Sequence, residues 1–281
     1  MLSIVSITKM KKDINSMIEE INNTGLEEFD GLSPRQMHDI LYEKKQNSFY
    51  KLNPNDKTVN EIPLVKQLRY FLNQIEVETE VKLTKAGNLP PTLVKELYSQ
   101  KIFVDELIEN GFTKLTKETD SNSIVLTRVL CELSGILKKR NGTLSLTSKG
   151  RDIYKTDGIF PLIFDTFANT FNWSYFDGYS NKMVGQFGNK FSLFLIHKYG
   201  DVERNTDFYS EKYFKAFPQL LDNTEANQFS ESYGCYSVRT FRRFLDYFGF
   251  IRLTGNHFQK LMTVRKSETF DEFIVFKPHG V

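Results

Sequence analysis

Apolar residues at helical spacing repeatedly give way to short alternating stretches closed by turn residues. This restricts the chain to helices interleaved with small β-hairpins. The pattern is clearest between residues 63 and 150. Pro63 opens a helix with Leu64, Leu68, Phe71, Leu72 and Ile75 on one face, followed by an extended stretch from Val77 to Leu83. Pro90-Pro91 starts another helix, carrying Leu93, Val94, Leu97 and Tyr98, and a short one is expected from Phe103 to Ile108. Leu126, Val129, Leu130, Leu133, Ile136 and Leu137 form the next stripe. Asn141-Gly142 is then a strong two-residue hairpin signal, with a return strand over Thr143–Thr147. Leu83-Thr84-Lys85-Ala86-Gly87 and Leu146-Thr147-Ser148-Lys149-Gly150 share the pattern Leu-Thr-x-x-Gly 63 residues apart (146 − 83), which reads as two copies of one unit.

A weaker third copy closes the chain. Ser237 caps a helix carrying Val238, Phe241, Phe244, Leu245 and Phe248; Phe250 to Leu253 is a strand, Gly255-Asn256 a turn, and Phe258 to Val264 the return. Upstream, Ile14, Met17, Ile18 and Ile21 mark an amphipathic helix, and Ser33-Pro34 caps and opens a second. Lys44 to Asn60 reads as a linker, and 172–179 (Asn-Trp-Ser-Tyr-Phe-Asp-Gly-Tyr) as an aromatic loop. The expected fold is mainly α with short β-hairpins (α+β). Residues 1–60 form a helical arm and linker, 61–157 tandem winged-helix-like units, and 158–281 an aromatic-rich helical region ending in a third wing-like hairpin.

Composition narrows the environment. Hydrophobic residues make up 40% of the 281 positions, enough for a core, and the 25 phenylalanines read first as core. No run of eighteen apolar residues suggests a membrane span, and the apolar start is too short for a signal peptide. Cys131 and Cys235 lack metal-ligand spacing and read as buried free thiols in a reducing cytoplasm.

Several segments resemble an uncharacterised bacterial family of plasmid open-reading-frame and insertion-element passenger proteins. They are Phe29-Asp30-Gly31-Leu32-Ser33-Pro34 with Met37-His38, Leu83-Thr84-x-x-Gly87-Asn88-Leu89-Pro90, Leu144-x-Leu146-Thr147-x-x-Gly150 and Val238-Arg239-x-Phe241-Arg242-Arg243-Phe244-Leu245-x-x-Phe248-Gly249. The resemblance implies an association with mobile elements. It supplies no reaction and no catalytic residues.

The net charge of +2 does not by itself call for a polyanionic partner, but basic residues cluster locally. Residues 138–151 hold Lys138, Lys139, Arg140, Lys149 and Arg151 with no acid, a local +5. Residues 237–266 hold Arg239, Arg242, Arg243, Arg252, Lys260, Arg265 and Lys266 against Asp246, which is 7 − 1 = +6. At α-helical spacing Arg239, Arg242 and Arg243 share a face opposite the phenylalanines. The leading expectation is therefore a cytoplasmic DNA-binding accessory or regulatory protein. Its contacts with double-stranded DNA would come from those three arginines and the basic wing, since phosphate neutralisation supplies most of the affinity. The competing reading is a protein-interaction scaffold with a solvated basic surface; a hydrolytic enzyme such as a nuclease ranks behind both. His38, His197, His257 and His279 are never paired at metal spacing, and Gly185-Gln186-Phe187-Gly188-Asn189-Lys190 lacks the spacing of a phosphate loop. Asp165 and Asp177 are the carboxylates singled out as a pair to check. No catalytic residue, metal site or cofactor is expected.

Overall fold

Helix α1 spans Ile4–Asn23 and α2 Pro34–Tyr42 in the computed structural model, which describes residues 4–42, 49–54, 56–221, 228–255 and 262–277, excepting the side chains of 4–12, 56–57 and 228–230. The start of α2 is a reciprocal capping box: Ser33 Oγ accepts from Gln36 N at 3.3 Å, and Gln36 Oε1 accepts from Ser33 N at 2.7 Å. Strand β1 (Tyr50–Leu52) and the short α3 (Asp56–Val59) follow. The polar composition of 44–60 suggested only a linker, but β1 pairs antiparallel with the final strand, more than 200 residues downstream. Its Tyr50 and Leu52 are buried and Lys51 is exposed.

The first compact set of elements is α4 (Pro63–Glu78), β2 (Val81–Lys82), α5 (Pro91–Ser99), α6 (Glu106–Glu109), α7 (Asn122–Leu133), β3 (Leu137–Arg140) and β4 (Thr143–Leu146). The three strands form one antiparallel sheet in the order β2-β4-β3. The two Leu-Thr-x-x-Gly segments therefore follow neighbouring strands of a single sheet, with Val81 opposite Leu144, instead of closing two separate copies. Their glycines also do different jobs. Gly87 turns the chain at φ +79, whereas a Cβ at Gly150, in α8 (Ser148–Ile153), would lie 2.2 Å from Ile136 O. The stripe read through Leu137 divides at Gly135 (φ +74), where helix becomes strand.

Helix α9 (Ile159–Asp165) runs into a π-helical turn, Thr166–Thr170. Apart from the short α6, a second set of elements then repeats the order: α10 (Asn189–Tyr199), β5 (Arg204–Asn205), α11 (Thr206–Ala216), α12 (Gln228–Tyr236) continued by a π-helical segment Ser237–Leu245, β6 (Ile251–Thr254) and β7 (Thr263–Lys266). Its strand order β5-β7-β6 matches that of the first sheet, the first strand pairing with the third. The expected C-terminal hairpin is present, although Asn256 and Phe258 lie outside the described residues. Helix α13 (Glu268–Phe273) and β8 (Ile274–Phe276) end the fold, β8 being the partner of β1.

Both sets and the connection between them contribute to one hydrophobic core. Phe164 lies 5.4 Å from Phe244 and 5.1 Å from Phe248 between ring centroids, and Trp173 lies 4.6 Å from Phe244. Across the junction Leu64 N donates to Tyr247 O at 3.0 Å. Cys131 and Cys235 are buried free thiols, with burial pushing the Cys235 thiol up to about 12.

Candidate nucleic-acid interface

Asn141 (φ +51) and Gly142 (φ +75) make the tight turn between β3 and β4. Antiparallel register places Lys82, Thr143 and Arg140 in one row and Lys138 opposite Ser145 in the next. Buried Val81 and Leu144 mark the other face, so Lys82, Lys138 and Arg140 point to solvent. Lys139 shares the Leu144 face but sits beyond the core, with its Nζ 3.3 Å from the position a Cβ on Gly87 would occupy. All four cations are exposed, and none is ion-paired among the described residues.

Lys149 and Arg151 lie on α8, outside this hairpin. Lys149 Nζ donates to Ser134 O at 2.9 Å, closing the C-terminal end of α7. Arg151 is exposed.

The arginines of the 237–245 segment do not form the expected outward face. Arg239 is 1% exposed, and its guanidinium donates to both carboxylate oxygens of Asp177, at 3.0 and 2.8 Å, and to the carbonyls of Asn181 and Val184. Arg243 donates to Asp177 at 2.7 Å and to Phe176 O. Arg242 diverges, donating toward Met262 Sδ and Gly255 O. The cause is the π-helical turn, visible in the bond from Asp246 N to Phe241 O: i→i+5 spacing keeps Arg239 and Arg243 together but swings Arg242 away. The aromatic loop thereby acquires a role, since it supplies the carboxylate that neutralises the two arginines. Burial raises the Asp177 pKa, but the Arg239 hydrogen bonds and the two guanidinium charges more than offset this and hold it below the usual range.

A residue pair that the charge count included but did not single out stands on the second hairpin. Arg252 and Arg265 are direct cross-strand partners, both exposed, and neither is ion-paired among the described residues. They occupy the positions that Lys138 and Ser145 hold in the first hairpin. Like charges placed opposite each other weaken a sheet, so stability does not explain them. The neighbouring Lys266, in contrast, is tied to Asp201 and Asp271.

The helix that precedes the hairpin in each set, α7 in the first and α12 with its π-helical continuation in the second, is largely withdrawn from solvent among the described residues. On α7 only Asn122 and Leu133 are exposed, and Arg128 is paired with Glu118 and Glu132 at 2.5 and 2.6 Å. The corresponding segment of the second set carries the Arg239 cluster.

An open cleft of about 740 Å³ lies between the end of α2, the Thr166–Thr170 turn and residues 182–190. Among the described residues its one lining carboxylate is Asp165, which accepts from Asn169, while Asp177 is engaged by the arginines and does not line the cleft. Among the described residues no group of three His, Cys, Asp or Glu is placed to hold a metal. His38 lies against Tyr42 and His197 stacks on Phe276; His257 and His279 lie outside the described residues. No helix among the described residues is long and apolar enough to cross a membrane. Comparisons with protein-family models, curated proteins and solved structures found no match to this chain.

Proposed function

We propose that the protein binds double-stranded DNA through the outer faces of two basic hairpins, β3–β4 and β6–β7. Each hairpin is the wing of a winged-helix-like unit, one over residues 63–146 and one over 189–266. The shared order helix, strand, helix, helix, strand, strand, with the four-residue α6 inserted in the first unit and the first strand pairing with the third, supports this reading of both units. The observation that carries the proposal is a contrast in charge pairing. Arg128, Arg239, Arg243, Lys198, Lys212 and Lys266 are matched with carboxylates, whereas Lys138, Lys139, Arg140, Arg252 and Arg265 on the hairpins, and Lys82 on the adjoining β2, stand exposed with no ion pair among the described residues. Because the helix before each hairpin is largely buried among the described residues, contacts fall on phosphates and carry little sequence information. An accessory role on a mobile element, in the cytoplasm, fits this chemistry and rests on the motif resemblance.

The test is a salt titration on mixed-sequence duplex DNA. With about five phosphates neutralised, log K against log salt has a slope near −4.5. Lys138/Lys139/Arg140→Ala flattens that slope by about 2 to 3, and Arg252→Ala with Arg265→Ala by about 2, with thermal stability unchanged. Absence of binding at low salt, or unaltered slopes in both variants, refutes the proposal. The burial of the helix before each hairpin favours a second reading, a protein-interaction scaffold. In that case the hairpins hold an acidic protein, and duplex DNA does not compete for them.

A further inference from the structure

The cleft of about 740 Å³ beside the Thr166–Thr170 turn is lined by both signs of charge without joining them. Asp165, at the end of α9, accepts from Asn169 Nδ2 at 2.8 Å and forms no ion pair among the described residues, although Lys182 and Lys190 line the same space. Asp165 Oδ2 and Asn169 Oδ1 are thereby left as acceptors with no donor among the described residues. Asn189, only 7% exposed, adds a third. Its Nδ2 donates to Ala168 O and Gln186 O, and its Oδ1 accepts from no described group. Burying an acceptor without a donor is costly, so this wall calls for a ligand that donates.

The cationic part of the cleft has a different origin. Gly185-Gln186-Phe187-Gly188-Asn189-Lys190 lacks the spacing of a phosphate loop, yet it brings the start of α10 to the cleft. Gly188, at φ +69, gives that helix no side-chain cap, its first turn holds no acid, and Lys190 stands second in it. A cation at that position opposes the helix dipole, so helix stability does not account for it, whereas a bound anion is favoured by lysine and dipole together. Exposed Lys182 adds a second cation, and Tyr42, Met183 and Phe187 supply apolar surface suited to a flat ring. A ligand that meets these groups combines an anion, N–H donors and a ring, in a volume ordinary for small-molecule sites. We infer that the cleft binds a nucleoside 5′-phosphate, with the phosphate at Lys182, Lys190 and the start of α10 and the base at Asp165 and Asn189. Guanine, whose neighbouring N1–H and N2–H match a carboxylate, fits best. The site is distinct from the basic hairpins and does not rest on their DNA contacts.

Equilibrium dialysis of the full chain against GMP, ribose 5-phosphate and inorganic phosphate, without divalent cations, tests the assignment. GMP is expected to saturate one site, and the two ligands without a base to bind about tenfold or more weakly, for want of stacking and base hydrogen bonds. Lys182→Ala/Lys190→Ala weakens GMP and ribose 5-phosphate alike, by about tenfold. Asp165→Asn weakens GMP by about tenfold but leaves ribose 5-phosphate unchanged, a split that mere loss of structure does not produce. Lys138/Lys139/Arg140→Ala leaves GMP binding intact. No saturable binding of GMP at millimolar concentration overturns the inference, as does equal affinity for GMP and inorganic phosphate. GMP binding that neither cleft variant alters, or that the hairpin variant abolishes, overturns it equally.

Discussion

Two partly buried aspartates, Asp177 and Asp246, are shifted in opposite directions by their surroundings. Asp177 lies between two guanidinium groups with its pKa lowered. Its contribution to stability is complete above the unfolded value of about 3.9 and fades as pH falls through the lower folded value. Asp177→Asn leaves Arg239 buried without a counter-charge and should cost about 3–5 kcal/mol, measured by urea unfolding at pH 7. Asp246 is the reverse case: burial pushes it up to about 6, only partly offset by the charge of Arg242. The folded state then binds the extra proton between about pH 4 and 6, so this group's contribution becomes less favourable as pH rises through that window. Asp246→Asn should therefore stabilise by about 1–2 kcal/mol at pH 8 and by nearly nothing at pH 4. Unfolding curves at the two pH values decide it.

At the scale of elements, the hairpins and caps follow local chemistry. Asn141-Gly142, Ser33-x-x-Gln36 and Pro at the starts of α4 and α5 all take the geometry their residues favour. Leu-Thr-x-x-Gly does not have one meaning. Thr147 Oγ1 accepts from Gly150 N at 2.9 Å to cap α8, while Gly150 admits Ile136 O where a methyl would clash. Gly150→Ala should cost about 1–3 kcal/mol through forced displacement, measured by thermal melt. Gly142→Ala meets no neighbour and costs about 1 kcal/mol of backbone strain. The π-helical segment shows the limit of reading a face from spacing. Arg239, Arg242 and Arg243 share a side only if the helix is regular, and here an i→i+5 turn interrupts it.

Over the whole molecule, the two three-stranded sheets do not mark two independently stable halves. Phe160, Phe164 and Phe167 from the connection between them meet Phe244, Phe248 and Phe250, and β1 pairs with β8 across the chain's length. Calorimetry should accordingly show one unfolding transition, and Phe164→Ala should lower its midpoint with a loss of about 3–5 kcal/mol. Two separated transitions would contradict the shared core.

Period and turn chemistry, which act within a few residues, determined the helical stripes, the β3–β4 hairpin, the approximate place of the final one and the phenylalanine core. The basic wing at Lys138–Arg140 was legible for the same reason: consecutive cations beside a tight turn have no room to bury. Strand partnership was not, because β2-β4 and β1-β8 are chosen by long-range packing that leaves no periodic trace. The fate of the arginines also belonged to the tertiary structure. A guanidinium is a surface cation until a distant carboxylate is carried to it, as Asp177 is carried to Arg239, 62 residues away in sequence.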